Sequence, residues 1–225
     1  MIKHLTFLSL LFYSLSACSQ SDISMKKDSL KLDTEQLPIN PAGELDTITL
    51  GAGCFWCVEA VFQRLQGVVS VESGYSNGHK VNPTYKEVCT GTTGHAEVAQ
   101  IVYKPAQISL ASILEVFWAS HDPTQLNRQG NDVGTQYRSG IYYRNDYQKA
   151  LAEQTKQLAD ASGIWSKPIV TEIVELENYT KAENYHQNYF NDNTRQPYCS
   201  VVIAPKVEKV KKLFKDKLKE EYIND

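Results

Sequence analysis

The chain has 225 residues, 42% of them hydrophobic and 22% charged, with a formal net charge of -3. That charge leaves no basic footprint for nucleic acid. The length that remains beyond the amino-terminal region fits one compact domain, large enough to bury a core without a disulfide staple.

Residues 1–17 read as a secretory signal, with Lys3 as a short basic region and an apolar stretch from Leu5 to Leu15. A mature transmembrane helix needs about 20 apolar residues, so this stretch is too short to be one. It closes with Leu15-Ser16-Ala17-Cys18, which resembles the bacterial lipoprotein processing box, where cleavage precedes a cysteine that is then lipidated. That resemblance implies an exported, membrane-anchored protein on the periplasmic or cell-surface side. Residues 18–45 are polar, carry Pro38 and Pro41 and show no periodicity, so they read as a flexible tether behind the lipidated Cys18. The folded domain is expected over residues 46–225.

Within it, the apolar alternation of Thr47 to Leu50 reads as a strand, ended by Gly51 and Gly53. Val58, Val61, Phe62 and Leu65 then recur at helical spacing, which places Cys54 at a helix N-terminus. Val68 to Tyr75 and Ala96 to Tyr103 read as strands, and Ser109 caps a helix with Leu110, Ile113, Leu114, Phe117 and Trp118 on one face. A polar loop from His121 to Gln136 follows; its length points to function. Arg138 to Tyr143 is expected as a strand, Asn145 caps a helix running to about Ser162, and Ile169 to Glu175 is a further strand. An amphipathic helix with a solvated lysine face is expected from Lys206 to Lys219. Strands separated by helices argue for an α+β fold, a two-layer sandwich on a mixed sheet, with a ferredoxin-like core and elaborations.

Five cysteines are present: Cys18, Cys54, Cys57, Cys89 and Cys199. With Cys18 assigned to lipid, the others read as thiols kept for chemistry, except Cys89, which reads as structural. At a helix N-terminus the macrodipole and unpaired N–H groups favour a thiolate at Cys54. Phe55 and Trp56 beside it form an apolar cage that suits a small greasy group on a substrate. Glu97 opens a strand and is expected to point into a partly buried site, where burial keeps a carboxyl protonated, as a general acid requires; an exposed strand carboxylate is the bland alternative.

Gly53-Cys54-Phe55-Trp56, Asn82-Pro83-Thr84-Tyr85, Thr93-Gly94-His95-Ala96-Glu97, His121-Asp122-Pro123-Thr124, Gly130-Asn131-Asp132 through Tyr137-Arg138-Ser139, and Tyr185-His186-Gln187 through Tyr189-Phe190 together resemble the peptide methionine sulfoxide reductase A family. The resemblance implies that Cys54 attacks the sulfur of methionine S-sulfoxide, free or within a protein, and that Glu97 protonates its oxygen. Tyr85 and Tyr137 are implied hydrogen-bond donors to that oxygen. Phe55 and Trp56 hold the methyl group, and Asp132 holds the substrate's backbone end. Cys54 is left as a sulfenic acid, which a second thiol must resolve. Cys199 is the favoured resolving cysteine by resemblance, with Cys57 a relay or an alternative to it. No cofactor is implied beyond an external thioredoxin-like thiol reductant, and the enzyme is expected to act as a monomer.

A thioredoxin-like thiol-disulfide carrier using Cys54 and Cys57 is the principal rival, since their spacing follows a strand and opens a helix. It leaves Glu97, Tyr85 and the loop from Gly130 to Ser139 without a task. A cysteine hydrolase pairing Cys54 with His95 or His186 is a second rival. Metal binding is disfavoured, because the single Cys-x-x-Cys lacks a second pair and Val58 stands where a c-type haem site needs histidine.

Overall fold

The computed structural model describes residues 35, 37–41 and 43–223. The leader expected over residues 1–17 and Cys18 lie outside them, as does most of the tether. At the described end of the tether Leu37 is half-buried against the core, while Ile39 is exposed.

Alternation decides the faces of the sheet. In β1 (Asp46–Ala52), Ile48, Leu50 and Ala52 point to one side and enter the main core. In β3 (Ala96–Tyr103), Ala99, Ile101 and Tyr103 share that side, and the antiparallel register sets Ile48 opposite Ile101 and Leu50 opposite Ala99. Glu97 has the same parity as Ala99, so it faces the helices. The opposite side of the sheet carries a smaller cluster of Ala96, Val98 and Tyr142, packed by Leu176 and Tyr179.

The core follows the order β1, α1 (Phe55–Phe62), β2 (Val68–Ser76), β3, α3 (Leu110–Ser120) and β6 (Ser139–Tyr143), with the short α2 (Tyr85–Val88) between β2 and β3. Its four strands lie in the order β6-β1-β3-β2, all antiparallel, which is the ferredoxin-like arrangement. Two additions widen it: β7 (Glu172–Glu175) joins β6 in parallel and β8 (Tyr179–Lys181) joins β2 antiparallel. A mixed six-stranded sheet results. The helices α1, α3, α4 (Asp146–Ala161) and α6 (Ala204–Leu213) give the second layer, with the short α5 (Tyr189–Asp192) between the last two in the chain. Full burial of side chains such as Leu50, Phe62, Ile101 and Ile113 contributes about 1.5–3 kcal/mol each.

The expected helix caps are present. Ser109 Oγ accepts from Ser112 N at 3.1 Å and Asn145 Oδ1 from Gln148 N at 2.9 Å. Three boundaries differ from expectation. The strand expected from Ile169 begins only at Glu172, because Ile169 N donates to Asp160 Oδ1 and Val170 N to Pro123 O instead of joining a ladder. Arg138 ends a 3-10 turn, Thr135–Tyr137, so β6 starts at Ser139. The carboxy-terminal helix stops at Leu213, which is exposed, and Leu218 is buried where it bridges to Leu65.

The polar loop after α3 is tightly stitched. Asp122 accepts from Thr124 N, Thr124 Oγ1 and Gln125 Nε2, and the Gln129 amide brackets the Asp122 backbone with bonds of 3.1 and 3.0 Å. The loop then turns through the hairpin β4 (Arg128–Gln129) and β5 (Asp132–Val133). Gln129 lies against Gly53, whose φ of 89° no other residue adopts easily; a Cβ there would meet Gln129 Cβ at 2.6 Å. That close approach brings Asp132 and Tyr137 over the start of α1.

Candidate active site

Cys54 is the N-cap of α1 and is 6% exposed. Its carbonyl accepts from Cys57 N at 3.0 Å, and the next free amide, Phe55 N, donates to Glu97 Oε2 at 3.1 Å. The thiol expected to gain from the helix N-terminus therefore receives none of these N–H groups, and burial pushes it well above the ordinary thiol value. A hydrogen bond from Tyr198 works in the opposite direction.

Cys57, one turn on and also buried, is lowered to about 7, first by its hydrogen bond with Cys54 and then, against the effect of burial, by the charge and hydrogen bond of Lys206. Burial thus works against the thiolate expected at Cys54, while Lys206 beside Cys57 favours negative charge on that sulfur.

Glu97 is 1% exposed, and burial raises its carboxyl to about 8, helped by the negative Asp132 and Cys57. Its Oε2 holds Phe55 N, whereas its buried Oε1 has no hydrogen-bond partner among the described residues. The bland reading of an exposed strand carboxylate does not hold. A protonated carboxyl with one open oxygen beside a thiol can deliver a proton there.

Around this pair stand the aromatic residues. Phe55 is buried against Tyr75, Tyr85 and His186, with ring centroids 5.8, 6.3 and 5.1 Å away. Trp56 is half-buried, stacked on Tyr189 at 3.7 Å and met edge-on by Tyr198 at 5.9 Å. Burial, with Glu97 close by, keeps the hydroxyls of Tyr85 and Tyr137 protonated far above neutral pH, so both remain donors. Asp132 Oδ2 accepts from Tyr198 Oη at 2.6 Å. Cys199 follows Tyr198 at the start of a π-helical turn, Cys199–Ile203, fully buried, its thiol raised by burial and by nearby Cys57. Cys54, Cys57, Cys89 and Cys199 are free thiols. Cys89 is exposed and shares a hydrogen bond with Tyr85.

The fold thus gathers Cys54, Phe55, Trp56, Cys57, Tyr85, Glu97, Asp132, Tyr137 and Cys199 at one place. Neither histidine of the hydrolase reading bonds Cys54: His95 Nε2 meets Lys80 O at 2.7 Å and His186 Nδ1 meets Trp56. Tyr198, Lys206 and Glu59 were not foreseen. Glu59 had a signal, as a carboxylate within an otherwise apolar helix. It is buried, raised to about 7 by burial, and accepts from Asn188 N at 2.9 Å, which ties down the segment bearing Tyr189.

The family model described as peptide methionine sulfoxide reductase matches residues 46–218. A peptide methionine sulfoxide reductase of Trichodesmium erythraeum is 53% identical over 174 residues, spanning 77% of this chain and 98% of the relative. One of Saccharolobus solfataricus is 52% identical over 175 residues, spanning 78% and 98%. Among solved structures, Mxr1 of Saccharomyces cerevisiae in reduced form is similar with a TM-score of 0.63 and 35% identity, over 73% of this chain and 94% of that one. Methionine sulfoxide reductase A of Corynebacterium diphtheriae is similar with a TM-score of 0.60 and 36% identity, over 69% and 78%.

Proposed function

Since the chain belongs to the peptide methionine sulfoxide reductase family, we propose that this site reduces methionine S-sulfoxide, in proteins or free, to methionine. The observation that carries the reading is the buried Glu97 carboxyl beside Cys54, raised to about 8, whose Oε1 has no hydrogen-bond partner among the described residues. The substrate's methyl group lies against Phe55 and Trp56, its oxygen faces Glu97, Tyr85 and Tyr137, and its backbone end reaches Asp132. Cys54 attacks the sulfoxide sulfur while its proton passes to the Cys57 thiolate across their hydrogen bond. Glu97 donates a proton to the oxygen, which leaves the substrate as the hydroxyl of a Cys54 sulfenic acid, and methionine departs. Glu97 takes a proton from solvent before the next turnover.

A thiol then condenses with the sulfenic acid, releasing water and leaving a disulfide. The sequence favours Cys199 for this step, but the thiol in contact with Cys54 is Cys57. The first bond therefore joins Cys54 to Cys57, and Cys199 takes it over by exchange. An external dithiol, thioredoxin-like in chemistry, returns the thiols and is itself oxidised.

The purified chain with dithiothreitol is expected to convert the S-epimer of a peptide methionine sulfoxide and not the R-epimer, and Cys54→Ser to abolish conversion. No conversion with the Cys54 thiol intact refutes the reading. The Leu15-Ser16-Ala17-Cys18 box further supports export and lipidation at Cys18, with the enzyme acting on the periplasmic or cell-surface side. An unlipidated Cys18 in mass spectra of the mature protein from its host refutes that part.

A further inference from the structure

Glu183 has no task in the chemistry above, yet its carboxylate joins two elements of the site. Its Oε1 accepts from Tyr85 N at 2.9 Å and its Oε2 from Tyr75 Oη at 2.8 Å. Burial raises this carboxyl, but the bonds from Tyr85 N, from its own N–H and from Tyr75 outweigh burial and leave it below its ordinary value. It is therefore ionised at neutral pH and accepts on both oxygens. Tyr75 is fully buried in β2, where the sheet fixes it, and burial, with Glu183 close by, keeps its hydroxyl a donor.

The element that carries Tyr85 needs such an anchor. Helix α2 has four residues, about one turn, and a turn of that length does not hold itself in water. A capping box closes it locally, with Thr84 N donating to Glu87 Oε2 at 3.0 Å. That bond is internal to the turn and does not fix where the turn lies. The Tyr85 ring rests near Phe55 and His186, centroids 6.3 and 4.3 Å away, contacts that are weak in direction. The Glu183 bridge is directional, and it ties the first amide of α2 to a rigid strand.

We propose that Glu183 is a positioning residue for the reduction: by bridging Tyr75 Oη and Tyr85 N it sets α2 so that the Tyr85 hydroxyl meets the sulfoxide oxygen. This rests on the reading that Tyr85 donates to that oxygen. A donor misplaced by about 1 Å can cost up to about 100-fold in rate.

The test is a double-mutant cycle on the full chain, read as the single-turnover rate of peptide methionine S-sulfoxide reduction at saturating substrate. Tyr137 donates to the same oxygen and can cover for a displaced Tyr85, so the cycle runs in the Tyr137→Phe chain. There Tyr85→Phe is expected to slow the step by about 100-fold, and Glu183→Ala by about 10-fold. With the Tyr85 hydroxyl already removed, Glu183→Ala is expected to cost nothing further. Glu183→Gln is expected to hold the rate, because the amide oxygen accepts from Tyr85 N and the amide nitrogen donates to Tyr75 Oη. A merely structural glutamate slows the step by the same factor with and without the Tyr85 hydroxyl, and that result overturns the proposal. So does an unchanged rate in Glu183→Ala or in Tyr85→Phe, or a Gln variant as slow as the Ala variant. Should the Ala variant fail to fold, Glu183→Asp, too short to span both donors, stands in its place with the same expectation. A wild-type chain that reduces no sulfoxide with its Cys54 thiol intact refutes the function itself, and the proposal with it, so the two failures are read apart.

Discussion

Replacing Glu97 with Gln separates two consequences of one buried carboxyl. Folded, the group titrates near 8, against an ordinary value of 4.5, because burial disfavours its charged form. A carboxyl raised on folding contributes stability that is complete below its unfolded value and is lost as pH rises toward its folded one. Between pH 4.5 and pH 7 that loss amounts to about 3 kcal/mol. Gln keeps the shape and can accept from Phe55 N, but it does not titrate. The Gln variant is therefore expected to gain about 3 kcal/mol on the wild type between pH 4.5 and pH 7, roughly 6–12 °C in melting temperature for a domain of this size. Glu59 also titrates near 7, but it is common to both proteins and drops out of the comparison.

Activity moves the other way. An amide has no proton to transfer, so reduction should slow by about 100-fold to 10,000-fold. Urea unfolding at the two pH values and single-turnover reduction with dithiothreitol measure both effects on one preparation. A Gln variant that gains no stability at pH 7 refutes the buried neutral acid, and one that reduces sulfoxide at the normal rate moves the proton source elsewhere.

The pH profile of the wild type should be bell-shaped, falling below about 7 as Cys57 takes a proton and above about 8 as Glu97 loses one. Lys206→Met removes the ammonium beside Cys57 and should carry the acid limb upward; a fixed limb dissociates Cys57 from the attack step. Cys57→Ser should slow trapping of the sulfenic acid after one turnover, whereas Cys199→Ser should spare the first disulfide and block recycling by a protein dithiol, as mass spectra of quenched reactions can read; the reverse pattern restores Cys199 as the first resolving thiol. Gly53→Ala should cost about 1–3 kcal/mol and raise KM, since φ at 89° and Gln129 at 2.6 Å leave no room for the methyl group; unchanged unfolding and KM would show that the loop over Gly53 does not position Asp132.

Local rules carried far along this chain. β3 lies where its alternation places it, and the caps at Ser109 and Asn145 start their helices as their side-chain chemistry requires. The hairpin Arg128–Gln129 with Asp132–Val133 left no pattern, because two-residue strands have no period to read and the Gln129 amide orders them from across the loop. In the site, the convergence of Cys54, Phe55, Trp56 and Glu97 was legible, while the burial that disfavours a Cys54 thiolate was not. That burial comes from segments distant in the chain, among them Glu97, which lies 42 residues from its partner Phe55, and no local rule contains such packing. Lys206 was hidden for a similar reason: in the chain it belongs to a run of solvated lysines, and only packing of α6 against α1 sets it beside Cys57.

The π-helical turn from Cys199 to Ile203 winds more chain into one coil than an α-helix holds. It seats the Cys199 sulfur fully out of solvent, with Val207 and Val210 anchoring the helix that follows. A protein dithiol cannot touch that sulfur where it stands, so recycling demands that this one coil give way first.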